Sequence, residues 1–342
     1  MASHTDALTV GATQSDPGVI SALPILVVHA HSSCNCRCVM CDIWKTAEAK
    51  SFTSASLAPH LESIRKLGVR WIVFSGGEPL LNPELPVLCS LLKEENIHLT
   101  LLTTGLLMKK CAVEVAKSFD DVIVSLDGPP GVHDEVRRVT GAFALVQEGV
   151  IALREQRPDI AITARCTIQK ANHHCLCATA DAAKLLNLNS ISFLAADLTS
   201  TAFNRTLAWP MSRQQEVGLT FPELEVLEKQ IEQLIGENPP SGQAAFIAES
   251  PEKLRRIVRH FRAQLGLDTP VSPECNAPWV SAVVEIDGTV RPCFFHRPIG
   301  NLRDGGLDSI LNSEKALTFR TELDVARDPI CNRCVCSLNY RG

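Results

Sequence analysis

The feature that most restricts this chain is a sixfold alternation of short apolar runs with longer amphipathic stretches. The runs at 25–30 (ILVVHA), 70–75 (RWIVFS), 97–103 (IHLTLLT), 121–127 (DVIVSLD), 160–168 (IAITARCTI) and 190–196 (SISFLAA) read as buried strands. Between them, 56–68, 83–96, 108–119, 142–156 and 175–187 have helical spacing, and Gly68 supplies a C-terminal stop for the first. Hairpin signals are almost lacking here, so the strands run parallel with helices as crossovers. An open doubly wound sheet and a partial barrel both satisfy that pattern. In either, functional residues gather at the C-terminal ends of the strands. Those ends carry a Cys-rich loop, GGEP, TTG and SLDG.

Four segments follow from the change of pattern. Residues 1–22 are a loose arm with little periodicity, and 23–204 hold the alternation. Residues 205–270 form a helical linker, with helices expected at 223–237 and 250–266 on either side of NPPSG. From 271 to 342 turn signals return, and EIDGTVRP reads as a hairpin. A hydrophobic fraction of 45% against 21% charged residues is enough for a sizeable core. A net charge of −5 gives no basic field for nucleic acid. No uninterrupted apolar run reaches the roughly 18 residues of a membrane span. The first Lys or Arg is Arg37, so PILVV lacks the basic flank of a secretory signal. A cytoplasmic globular protein is expected, with neither nucleic-acid nor membrane partners.

In such a compartment fourteen cysteines are hard to explain as disulfides. Four lie between Cys34 and Cys41 and three between Cys331 and Cys336, which points to metal or cluster ligation. Cys89, Cys111 and Cys166 sit in apolar surroundings and read as buried thiols. Cys34, Cys38 and Cys41 form C-x3-C-x2-C, with Cys36 as a bystander. Zinc usually takes four ligands in a closed site. An iron–sulfur cube on three thiolates leaves one iron open to a small bidentate molecule. Spacing alone leaves both readings, and unligated thiols, in play. The HHCLC run at 173–177 could present ligands on one helical face, but with no second pair nearby it reads as a helix start. His29 and His31 read as scaffold.

C-x3-C-x2-C after a first strand, followed by GGEP after the second, resembles the radical S-adenosylmethionine (SAM) superfamily. The resemblance implies an α/β fold, a partial (β/α)6 TIM-like barrel. It also implies a [4Fe-4S] cluster on Cys34, Cys38 and Cys41 whose open iron chelates the amino and carboxylate groups of SAM. Reductive cleavage of SAM then yields a 5′-deoxyadenosyl radical that abstracts hydrogen from substrate, with an electron donor such as flavodoxin or ferredoxin. Position by position, Gly76, Gly77, Glu78 and Pro79 match the motif lining the methionyl amino group, and Met40 falls near the adenine. Thr103 of TTG, Ser125 of SLDG and Arg165 on the fifth strand match positions that meet SAM, Arg165 as a partner for its carboxylate.

A second set begins at Cys275, continues as C-x12-G-x4-C to Cys293, and ends with Cys331 and Cys334 in CNRC. This resembles the SPASM/twitch extension, a β-hairpin and helix that carry an auxiliary [4Fe-4S] cluster. Cys336 competes with Cys331 or Cys334 as the fourth ligand, and chemically the same thiolates could hold a structural zinc. Sulfatase-maturing relatives carry an Asp immediately after the cysteine matched by Cys293, whereas this chain has Phe294. The expected function is a radical SAM enzyme acting on a peptide or small polar metabolite, with the auxiliary cluster aiding oxidation or relaying electrons. The contrasting class is a non-catalytic zinc- or iron–sulfur-binding regulatory protein. No residue is assigned as general base or radical-quenching donor.

Overall fold

A computed structural model describes residues 18–205, 207–239 and 245–341, so most of the expected arm at 1–22 lies outside the described residues. The six expected strands form: β1 (Ile25–His31), β2 (Trp71–Gly76), β3 (His98–Thr103), β4 (Asp121–Ser125), β5 (Ala161–Ile168) and β6 (Ser190–Ala195). Each pairs in parallel with the next, in the registers Val27↔Val73, Leu101↔Val122 and Ser125↔Arg165, for example. The result is the partial (β/α)6 barrel.

The strands are two-faced. Leu26, Val28, Ile72, Phe74, Leu99, Leu101, Val122 and Val124 are buried against the outer helices. There Phe74 meets Phe119 edge-to-face at 6.0 Å. The alternate residues Val27, Val73, Leu102, Ile123 and Ser192 look into a cavity on the inner face.

The crossover helices depart from the expected ranges where backbone chemistry intervenes. The first is split into Ser54–Leu57, a 3-10 turn at Ala58–His60 and Leu61–Lys66, because Pro59 removes an amide donor; Gly68 ends it at φ +62. Ala142–Gln156 forms with the expected bounds. The unanticipated helices include Pro130–Arg137 and Met211–Val217, each starting directly after a proline. Phe221–Glu237 is fixed at its start by a capping box between Thr220 and Glu223. It packs with Pro251–Gln264 into the same core as the barrel, and Ile247 bridges to Ile191 beside β6.

The opposite edge is closed by the C-terminal segment. β7 (Ser281–Val284) pairs in parallel with β1, and β8 (Thr289–Arg291) and β9 (Gly300–Asn301) follow antiparallel. The expected hairpin therefore extends the barrel sheet to nine strands, in the order β6-β5-β4-β3-β2-β1-β7-β8-β9. Among the described residues no helix is long and apolar enough to cross a membrane.

Candidate cluster and cofactor site

The Cys-rich loop leaves β1 at His31 and is held from two sides. On one side Gly77 N donates to His31 O at 2.8 Å and Glu78 N donates to Ser33 O at 2.9 Å. That approach requires glycine: Gly76 has φ +110, and a Cβ on Gly77 would lie 2.1 Å from Ser33 O. On the other side Arg37 N and Val39 N donate to the carbonyls of Arg137 and Val136, both at 3.1 Å.

Within this frame Cys36 is fully buried and hydrogen-bonds to both Cys34 and Cys38, which keeps it a thiol with its pKa far above the ordinary value. The Cys38 thiol is held at about 6, first by the hydrogen bond from Cys36, with burial opposing and Arg137 assisting. Cys34 is lowered by the same Cys36 bond, whereas burial pushes Cys41 up to about 12. Cys34 and Cys38, already depressed, suit iron–sulfur ligation, whereas Cys41 would give up its proton on binding. Cys36 sits among the three as a hydrogen-bond partner.

GGEP is anchored by its glutamate. Glu78 is fully buried; its Oε1 accepts from Leu80 N (3.0 Å) and Thr103 Oγ1 (2.8 Å), and its Oε2 from Thr104 N and Thr104 Oγ1 (both 2.7 Å). Burial nevertheless pushes this carboxyl above its ordinary value. The Glu78 side chain and the Thr103 hydroxyl are thus spent on each other, tying the end of β2 to the end of β3. What the motif leaves open is the backbone of Gly76 and Gly77, which lines a cavity of about 460 Å³ with His29, Ser32, Arg205 and Arg291. Pro79 is buried at the start of the turn Pro79–Leu81. The hydroxyl of Thr104, the next residue of TTG, also lies 2.9 Å from the side-chain amide of Asn35 in the cluster loop.

Met40 packs with Val39 against a small cluster of Ala196, Leu198, Trp209 and Val217. Charged groups missed by the sequence reading surround it. Arg205 pairs with Asp197 at 2.6 Å, lies 3.7 Å from the Trp209 ring centroid and donates to Met40 O at 3.3 Å; Trp209 Nε1 donates to Asp42 Oδ2 at 2.6 Å. Ser125 ends β4 beside Arg165, whose guanidinium reaches Ser192 Oγ at 3.4 Å on the inner face.

A second cavity, of about 340 Å³, lies between that inner face and the C-terminal segment. It is walled by Cys275, Cys293, Cys331, Cys334 and Cys336, all free thiols, with Arg165, Lys253 and Arg256 as its cations. The two cavities share Ser75, Val283 and Phe294 in their walls, so the cluster-loop side and the second thiol set are neighbours. Phe294 stacks on His29 at 5.7 Å, and burial, then Arg291, lowers His29 to about 4. Burial pushes Cys331 and Cys336 up, to about 12 and about 11, so a metal bound there would displace protons. His296 Nε2 lies 3.4 Å from Cys331 Sγ and 3.8 Å from Asp328 Oδ1. The HHCLC run is a helix start: His173 Nδ1 contacts Lys170 O at 2.7 Å and Cys175 precedes Leu176–Leu185.

Comparison with known proteins agrees with this geometry. The radical SAM superfamily model matches residues 30–181, and the SPASM iron–sulfur cluster-binding domain model matches 275–335. Fe-coproporphyrin III synthase of Methanosarcina barkeri is 28% identical over 93% of this chain and 83% of its own length. An AdoMet-dependent heme synthase of Oleidesulfovibrio alaskensis is 23% identical over 98% and 85%. A probable GTP 3′,8-cyclase of Methanococcus maripaludis is 33% identical over a shorter stretch, 34% of this chain and 41% of that protein. In fold, Streptococcus suis SuiB bound to S-adenosylmethionine superposes with a TM-score of 0.63 at 13% identity, covering 94% of this chain and 74% of that one. Native anSMEcpe with bound AdoMet gives 0.64 at 18% identity, covering 86% and 82%. This chain belongs to the radical SAM superfamily, as an enzyme that takes S-adenosylmethionine on a [4Fe-4S] cluster and carries an auxiliary [4Fe-4S] cluster in a SPASM domain.

Proposed function

We propose that Cys34, Cys38 and Cys41 hold the SAM-binding cluster in the barrel (23–204). Four of Cys275, Cys293, Cys331, Cys334 and Cys336 hold the auxiliary one in segment 271–342, with 205–270 packed between. The observation that carries this reading is the Cys-rich loop clamped against Gly77 at the mouth of the barrel. When bound, the cluster and SAM supply one-electron cleavage of the S–C5′ bond and a radical that abstracts hydrogen from substrate. The chain's own residues bind and orient. Gly76 and Gly77 offer backbone acceptors to the methionyl amino group, with Glu78, Thr103 and Pro79 holding that backbone in place. Ser125 and Arg165 receive the carboxylate, and Met40, backed by Trp209, supports the adenine side. The inner-face wall of the cavity excludes water.

The substrate cavity is chiefly apolar, with Lys253 and Arg256 among its lining residues. That lining favours an amphiphilic carboxylic acid over a small polar metabolite. The relatives matched along most of the chain are named for Fe-coproporphyrin III and heme, so a carboxylate-bearing tetrapyrrole is the substrate class we propose. The auxiliary cluster at the same wall serves as electron acceptor or relay, and a flavodoxin or ferredoxin supplies the first electron. Anaerobic, reconstituted protein given SAM and reductant should form 5′-deoxyadenosine, faster when a carboxylate-bearing iron tetrapyrrole is present. The triple variant Cys34→Ala/Cys38→Ala/Cys41→Ala should lose that activity while keeping the iron of the auxiliary site. Undiminished SAM cleavage by the triple variant overturns the assignment.

A further inference from the structure

One buried charged pair beside the cluster loop has no role in the reading above. Asp127, the acid of SLDG, is fully buried, and Arg137, at the end of the unanticipated helix Pro130–Arg137, is 7% exposed. Arg137 Nη2 lies 2.5 Å from Asp127 Oδ2, and Arg137 Nη1 donates to Cys38 Sγ at 3.4 Å. The carboxylate is fixed from the other side: its Oδ1 accepts from Thr167 N at 2.8 Å. Its own backbone is held too, Asp127 N donating to His133 Nδ1 (3.1 Å) and Asp127 O accepting from Asn172 Nδ2 (2.9 Å). A guanidinium keeps its charge in proteins, so one arm of a cation rests on a cluster ligand with a carboxyl group behind it.

A buried ion pair is weak evidence for stability, since well-packed apolar residues often do as well. We propose that Asp127 and Arg137 set the reduction potential of the cluster held by Cys34, Cys38 and Cys41, Arg137 as a charged donor to the Cys38 sulfur and Asp127 as the counter-charge that moderates it. The proposal rests on the cluster assignment made above. Reduction adds one electron, hence one negative charge, to the cluster; a cationic donor on a ligand sulfur stabilises that state, and a carboxylate behind the cation offsets part of the effect. Both are positioning residues and touch neither SAM nor substrate.

The two partners must then act with opposite sign. Arg137→Gln removes the donor and lowers the potential. Asp127→Asn unmasks the cation and raises it. A pair that merely holds the loop in place predicts no such opposition. The test is an EPR-monitored redox titration of the full-length reconstituted protein, with the triple Cys→Ala variant subtracted to isolate the barrel cluster from the auxiliary one. At the wild-type midpoint the ratio of reduced to oxidised cluster should change about tenfold in opposite directions, or about 59 mV for a one-electron couple. Arg137→Lys, which keeps the charge without the fork, and the neutral pair Asp127→Asn/Arg137→Gln cover a single variant that fails to fold. The neutral pair should lower the potential less than Arg137→Gln, and the lysine should stay nearer to wild type than either. Shifts of one sign, or none, with iron content intact overturn the proposal. A triple variant with the same iron content and EPR signal as wild type would instead overturn the cluster assignment.

Discussion

Replacing Gly77 by alanine tests whether the cluster loop depends on the close approach of β2 to the end of β1. The added Cβ would stand 2.1 Å from Ser33 O and 2.6 Å from Ser33 C, where real Cβ contacts essentially never fall below 3.0 Å. The obstacle is backbone, so no side chain can swing aside, and the two segments must part by about 1 Å. Such a shift takes the bonds Gly77 N–His31 O (2.8 Å) and Glu78 N–Ser33 O (2.9 Å) beyond hydrogen-bonding distance. Two lost bonds at about 1 kcal/mol each, with overpacking of about 1–3 kcal/mol, outweigh the gain of about 0.4–1 kcal/mol from a stiffer unfolded chain. The net cost is about 3 kcal/mol. Because Ser33 immediately precedes Cys34, the same displacement would misplace the ligand proposed there, and a 1 Å error at a reacting centre costs about 10²-fold in rate. Gly236→Ala is the control: nothing lies within 4 Å of its Cβ and the residue is in the helix Phe221–Glu237, so it should gain about 0.5–1 kcal/mol. Guanidinium unfolding, iron content and 5′-deoxyadenosine formation, measured on both variants, separate the outcomes. If Gly77→Ala matches Gly236→Ala in unfolding midpoint and iron loading, the steric argument is wrong.

Two further substitutions probe the supports of the site. Glu78→Gln turns one carboxylate oxygen into an NH2 group, and both oxygen positions face a backbone N–H, Leu80 N on one side and Thr104 N on the other. Whichever way the amide turns, one donor meets a donor, at a cost of about 1–3 kcal/mol; an unchanged denaturation midpoint would refute this. His133 is fully buried, accepts from Asp127 N through Nδ1, and is lowered to about 3 by burial and then by Arg137. Its folded pKa lies below the unfolded value, so its contribution is present above about pH 6.5 and lost as the pH falls toward about 3. Between about pH 7.5 and about pH 5 the wild type should therefore lose about 2 kcal/mol more stability than His133→Gln. Parallel stability–pH curves for the two proteins would count against it.

The elements that were legible in the sequence are those specified by neighbours along the chain. β1 to β6 follow from local apolar runs, and Gly68 ends its helix where its φ of +62 requires glycine. The C-x3-C-x2-C spacing brings three thiols into one loop whatever surrounds it. The helix Pro130–Arg137 escaped notice because only His133, Val136 and Arg137 are buried, too few apolar positions to give a period; the paired prolines at its start were the available signal. Glu78 was placed in the right motif, but its side chain serves the fold and only the adjoining backbone faces the cavity.

The sequence by itself determined the alternating elements, the two sets of thiols and the glycines that let them approach the sheet, because those depend on spacing and on the absence of a Cβ. Only the tertiary structure decided that β7 closes the β1 edge and that the two cavities share Ser75, Val283 and Phe294. It also decided that a guanidinium ninety-nine positions away donates to Cys38. These contacts join residues far apart in the chain, and nothing in local propensity or periodicity encodes which distant surfaces pack together.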